Sequence, residues 1–133
     1  EKRAARSLSH PRVRADALAI QALALVYEGG RRNLRKASRL LNTALRMEPD
    51  MATALIGRAL LLTAKRKWAQ AEEVFRRLIQ VAPKNAEAHY RLGRLIVRKK
   101  NRSRDAKLMF LKALELDSDG IWGVRSQKAL KGI

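Results

Sequence analysis

The feature that most constrains this chain is a recurrence of about 34 residues in which two linked patterns travel together. Ala37, Leu41, Ala44, Leu45, Met47 and Pro49 return 34 residues later as Ala71, Phe75, Leu78, Ile79, Val81 and Pro83. They return again, 35 further on, as Ala106, Phe110, Ala113, Leu114, Leu116 and Ser118. An upstream set, Ile20, Leu23, Ala24 and Tyr27, recurs as Leu55, Arg58, Ala59 and Leu62, then as His89, Leu92, Gly93 and Ile96. A period of this size redefines the whole fold, because each copy is a small supersecondary unit that cannot bury its apolar face alone and must stack on its neighbours.

Inside each copy the apolar residues step by three and four, as in Ala71, Phe75, Leu78 and Ile79, which is one face of an α-helix. Each repeat is therefore a pair of helices. The first helices are expected near 15–28, 51–64 and 86–99, and the second near 34–47, 68–81 and 103–116. Gly29-Gly30 closes the first helix, and Pro49 and Pro83 stop the second helices where the chain must turn into the next repeat. Asp50 and Asn85 stand where N-caps are needed. Small residues in the first helices (Ala24, Ala59, Gly93) and second helices (Ala37, Ala71, Ala106) let the backbones of a pair approach, while Phe75 and Phe110 fill the space between pairs. Ala71→Arg or Gly93→Leu is expected to be severely destabilising through overpacking or buried charge. Of the ends, 1–14 reads as the tail of a preceding helix, with Ala4, Ala5 and Leu8 before Pro11. Residues 121–133 read as a capping helix with Ile121, Trp122, Val124, Ala129 and Leu130 inward and Arg125, Lys128 and Lys131 outward.

Composition agrees with an all-α class. The chain has 133 residues, 47% apolar and 32% charged, which is soluble and globular, and only 5% aromatic, so its core is built of Leu, Ala, Val and Ile. Cysteine is absent, which removes disulfides, thiol nucleophiles and thiolate metal sites. The longest run without charge, Ala17 to Tyr27, is too short to span a bilayer and lacks the flanks of a signal peptide. A chain opening on Glu1 reads as a piece of something longer, and a cytoplasmic location is the expectation.

Together these residues resemble the tetratricopeptide repeat family: a helix-turn-helix of 34 residues with small residues in both helices, an aromatic in the second and a closing proline. The similarity covers about residues 15–133. It departs where the family favours tryptophan, since Ile20, Leu55 and His89 stand there, and at the third closing proline, which is Ser118. The resemblance implies a right-handed α-α superhelix, a solenoid of three repeats at about 15–50, 51–85 and 86–120.

Family members are non-catalytic adaptors whose first helices line a concave groove. Mapped onto this chain, the groove shows Leu18, Gln21, Leu25 and Glu28 from the first repeat and Thr53, Ile56, Leu60 and Thr63 from the second. The third gives Glu87, Tyr90, Arg94, Val97 and Arg98, and Arg91, Arg94 and Arg98 would draw a carboxylate beside an apolar middle. One subclass clamps the terminal carboxylate of heat-shock chaperones with lysines, an arginine and asparagines. Those sites here are Gln21, Leu25, Gly57, Glu87 and Arg91, of which only the last fits, so that clamp is not expected.

The formal charge is +18, and its placement is uneven. The turns within repeats carry Arg31, Arg32, Arg35 and Lys36, then Lys65, Arg66 and Lys67, then Arg98, Lys99, Lys100, Arg102 and Arg104. The turns between repeats carry Glu48, Asp50, Lys84, Glu87, Glu115, Asp117 and Asp119. A basic edge and a neutral to acidic edge follow. The helix dipole accounts for cations at helix C-termini but not for Arg35, Lys36 and Arg104 at the start of second helices. An acidic protein, nucleic acid or anionic lipid would use such an edge. Base-stacking aromatics are scarce there, with Trp68 alone near it and better suited to packing between helices, which puts an acidic protein ahead.

No catalytic constellation is present. His10 and His89 lack a second ligand at metal spacing, and His89 holds a usually apolar helix position, so no metal is implied. Gly29-Gly30 ends a helix instead of opening one after a strand, so it is no phosphate loop, and the serines lack a His and acid partner. The leading expectation is a non-enzymatic, cofactor-free adaptor that binds a peptide or partner helix in the groove, helped by the basic edge. The alternatives are binding of nucleic acid or an anionic surface through that edge alone, and structural homo-oligomerisation.

Overall fold

The computed structural model describes residues 11–133. Seven α-helices follow one another there, with no strand among the described residues: α1 (Pro11–Glu28), α2 (Arg31–Met47), α3 (Ala52–Ala64), α4 (Trp68–Val81), α5 (Ala86–Ile96), α6 (Ser103–Leu116) and α7 (Ile121–Lys131). A short 3₁₀ turn (Lys100–Arg102) precedes α6. The described residues divide into two compact units, one ending at Val74 and the other running from Phe75 to Ile133.

In the N-terminal unit, α1 packs on both α2 and α3, and α2 on α3. Ala15, Ala19 and Ala22 of α1 and Ala37, Leu41 and Ala44 of α2 are buried together with Ala54 and Leu61 of α3. Alanine on both sides of the α1–α2 contact is what lets two backbones lie close. The turn between them takes only two residues, and both adopt the left-handed backbone that favours glycine (Gly29 φ 74°, Gly30 φ 94°). Asn33 Nδ2 donates to the Gly29 carbonyl at 2.8 Å, which satisfies an acceptor at the end of α1.

This turn corrects the expected register of the first repeat. Helix α1 begins at Pro11 instead of near 15, with the proline in the first turn where its missing N–H costs no hydrogen bond. Its buried line is Ala15, Ala19 and Ala22, whereas Ala24 is exposed and Ile20 and Tyr27 are 60% and 67% exposed. Ala24 is thus not the close-approach residue of the first pair. The expected helical tail at Ala4, Ala5 and Leu8 lies outside the described residues.

Helix α3 ends in a Schellman arrangement: the Lys67 N–H donates to the Leu62 carbonyl and the Arg66 N–H to the Thr63 carbonyl. Arg66 therefore holds a left-handed φ of 61°, at the position where glycine is usual. The N-cap position of α3 is Met51, one residue after the expected Asp50, and the Met51 side chain makes no capping bond. Asn85 does cap α5, its side-chain oxygen accepting from the Ala88 N–H at 3.1 Å.

In the C-terminal unit, α5 packs on α6, and α7 on both. Phe110 of α6 is buried against Gly93 of α5, where an added Cβ would lie 2.8 Å from Phe110 Cε1. His89 is buried as expected of a core residue, and its Nε2 donates to the Pro83 carbonyl at 3.0 Å. Helix α7 is turned differently from the expected capping helix. Gly123 and Ser126 are its buried residues, Trp122, Ala129 and Leu130 are half-buried, and Ile121 and Val124 face out at 55% and 57% exposure. The cause is the Asp117 loop. The Asp117 carboxylate accepts the Trp122 N–H at 3.2 Å, and a Cβ on Gly120 or Gly123 would collide with Asp117, so α7 must present its small residues to that loop.

Candidate functional site

The third-repeat residues assigned to the groove from sequence come together with residues that sequence reasoning did not assign. Tyr90, Arg94 and Val97 of α5 and its C-cap line an open cavity of about 400 Å³ with Phe110 of α6 and with Arg125, Lys128, Ala129, Gly132 and Ile133 from α7 and the chain end. Helical spacing explains the α5 contribution, since 90, 94 and 97 fall on one face. The α7 contribution follows from the tight seat of Gly123, which brings Lys128 and Ala129 round to the same cavity.

Two aromatic rings, Tyr90 and Phe110, belong to its lining, and Trp122 supports Tyr90 from outside it. Tyr90 lies 5.9 Å from Phe110 and 5.7 Å from Trp122, centroid to centroid, in tilted geometry. The guanidinium groups of Arg91 and Arg125 each sit 5.1 Å from the Trp122 ring centroid. Arg91 also donates from Nε to Glu87 at 2.7 Å, a half-buried pair that commits it to structure as much as to a ligand. Arg94 and Arg98 are exposed, while Tyr90 and Val97 are half-buried. Cations around an apolar floor can hold a carboxylate while an apolar side chain enters beside it.

The other groove residues lie apart in character. Gln21 of α1 is exposed, but Leu25 is half-buried against the N-terminal core. Ile56 is buried at 8% exposure, and Leu60 and Thr63 are half-buried, with Thr63 Oγ1 donating back to the Ala59 carbonyl at 2.8 Å. Thr53 lines a cavity of about 440 Å³ with Asp16, Glu48, Asp50, Met51 and Ala52, an acidic place that would repel a carboxylate.

Of the basic residues assigned to an edge, Arg31, Arg35 and Lys65 share one cavity in the N-terminal unit with Arg39, which the sequence reading passed over. Arg32, Lys36, Arg66 and Lys67 are exposed nearby in the chain. In the C-terminal unit Lys99 and Arg104 are exposed, and Arg102 pairs with Asp105 at 3.8 Å. Trp68 is half-buried at the start of α4. Among the described residues no cluster of three or more His, Cys, Asp or Glu could hold a metal, and no helix is long and apolar enough to cross a membrane.

Comparison with known proteins gives a consistent picture. The tetratricopeptide repeat profile matches twice, over residues 21–80 and 62–121. No protein of curated function matches by sequence. Among solved structures, the TPR domain of Arabidopsis OM64 superimposes with a TM-score of 0.73 at 21% identity, covering 92% of this chain and 98% of that one. At that identity the likeness carries the fold alone.

Proposed function

Since the chain belongs to the tetratricopeptide repeat family, an all-α solenoid of helix pairs whose members in general mediate protein–protein interaction, we propose that it is an adaptor module capturing a partner peptide at the α5–α7 cavity. The observation that carries this reading is the cavity itself, an aromatic and aliphatic floor of Tyr90, Val97, Phe110 and Ala129 with Arg94, Arg125 and Lys128 among its lining. A volume of about 400 Å³ suits one or two apolar side chains and an adjoining carboxylate. The peptide chemistry proposed is therefore an apolar residue next to an acidic one or to a free C-terminus.

Selecting peptides from a random display library on the intact chain, then measuring the winners against Arg94→Glu and Val97→Asp, tests this. Both positions retain solvent contact, so neither change buries a charge in the core. Enriched peptides should pair an apolar with an acidic residue, and each substitution should weaken them about tenfold or more. Winners without that pairing, or binding that ignores both substitutions, would overturn the assignment of the cavity. Ile56 is unsuitable for such a test, because charging a buried core residue would report on folding.

A further inference from the structure

Helix α2 carries Arg31, Arg32, Arg35, Lys36, Arg39 and Arg46 and not one acid from Arg31 to Met47. Arg31, Arg35 and Arg39 recur every fourth residue, so they stand on one face at steps of about 6 Å along the axis. All three are exposed. Where this face meets the turn after α3, Lys65 joins them around an open cavity of about 640 Å³ whose remaining lining is Gly30, Leu34 and Ser38. Among the described residues none of these four cations has a carboxylate partner. Folding does not account for the arrangement. Cations in the first turn of a helix oppose its dipole, and like charges four residues apart repel.

We propose that this cavity docks an acidic, amphipathic segment of a partner protein, with an apolar side chain over Leu34 and carboxylates against Arg31, Arg35, Arg39 and Lys65. The match is one of charge and of pitch. Acids at every fourth position of a partner helix repeat at the same interval as the arginines, and guanidinium groups take carboxylates in paired hydrogen bonds. Leu34 decides between a protein and a nucleic acid. A sugar-phosphate backbone offers little apolar surface to place on it, and no aromatic side chain lines the cavity to stack a base. The site lies wholly within the N-terminal unit and is independent of the peptide cavity proposed above.

Fluorescence anisotropy on the full chain at about 0.15 M NaCl tests the proposal. The probes are a labelled helical peptide with glutamates at four-residue spacing around a central leucine, the same peptide with serine for leucine, and a duplex DNA of equal length in charge. The leucine peptide should bind, and the serine version about fivefold or more weakly. Arg35→Glu with Arg39→Glu should weaken the leucine peptide about tenfold or more, and the milder Arg35→Gln with Arg39→Gln should act in the same direction. The same charge change at exposed Lys107 and Lys131 should matter less than about twofold, as should Arg94→Glu, which reports on the other cavity. Equal effects of the two charge reversals would reduce the site to diffuse attraction and overturn it. So would indifference to the leucine, or DNA binding as tightly as the peptide with a steep salt slope.

Discussion

Gly93 and Gly57 show how much a hydrogen atom in place of a methyl group depends on its neighbour. A Cβ at Gly93 would meet Phe110 at Cε1, Cδ1 and Cζ, between 2.8 and 3.1 Å, and the ring is nearly fully buried and packed at a tilt against Tyr90. A Cβ at Gly57 would meet Leu41 Cδ2 at 2.8 Å, the methyl end of a flexible side chain that is itself fully buried. Alanine in place of glycine gains about 1 kcal/mol of helix propensity at either position, while overpacking costs about 1–3 kcal/mol where the neighbour cannot yield. Gly93→Ala should therefore lower stability in urea unfolding, and Gly57→Ala should lower it less. Equal effects would mean that Phe110 has room the geometry does not show. Arg66 presents the opposite case, a long side chain at a left-handed φ of 61°. Arg66→Gly should raise stability by up to about 1 kcal/mol, since relief of the left-handed backbone outweighs the extra freedom glycine gives the unfolded chain. Loss of stability on that change would show the arginine side chain to be anchored by contacts of its own.

Among the elements, α2, α4 and α6 were legible because each alternates apolar and charged residues sharply. Ala37, Leu41 and Ala44, or Ala106, Phe110 and Ala113, can face only one way. Helix α1 was not legible in the same detail. From Ala17 to Tyr27 it is apolar nearly all round, so Ala15, Ala19, Ala22 and Ile20, Ala24, Tyr27 are equally good helical stripes, and the choice falls to the two-residue glycine turn. The candidate site was half legible for a related reason. Tyr90, Arg94 and Val97 follow from the repeat pattern, but Arg125 and Lys128 lie past its end, on a helix whose rotation is set by Gly123 and Asp117. That dependence is testable. Asp117→Ala removes the acceptor of the Trp122 N–H and should cost about 1 kcal/mol, with faster amide exchange confined mainly to the first turns of α7. It should also loosen the cavity, so peptide binding should fall even though residue 117 does not line it. Unchanged exchange in α7 would show that the packing of Ser126 and Trp122 alone sets the helix.

At the scale of the molecule, 30 lysines and arginines face only 12 acids, and salt acts on that imbalance in two opposing ways. It weakens favourable pairs such as Arg102–Asp105 and Lys112–Glu115, which are long at 3.8 and 3.7 Å and reach solvent, so little is lost with them. It also screens repulsion among cations that are much more numerous, as along α2, and self-repulsion of this kind works against the compact state. The second effect should win. Raising NaCl from about 0.05 to about 0.5 M shortens the screening length from roughly 14 to 4 Å, less than the 6 Å step between successive arginines of α2. The melting temperature in a salt series should therefore rise, while capture of acidic peptides weakens over the same range, and the two curves should cross in sign. A melting temperature that falls with salt would mean that ion pairs, and not apolar packing between helices, carry the stability of the fold, and the arginine face of α2 would then be part of the scaffold instead of a surface held open for a partner.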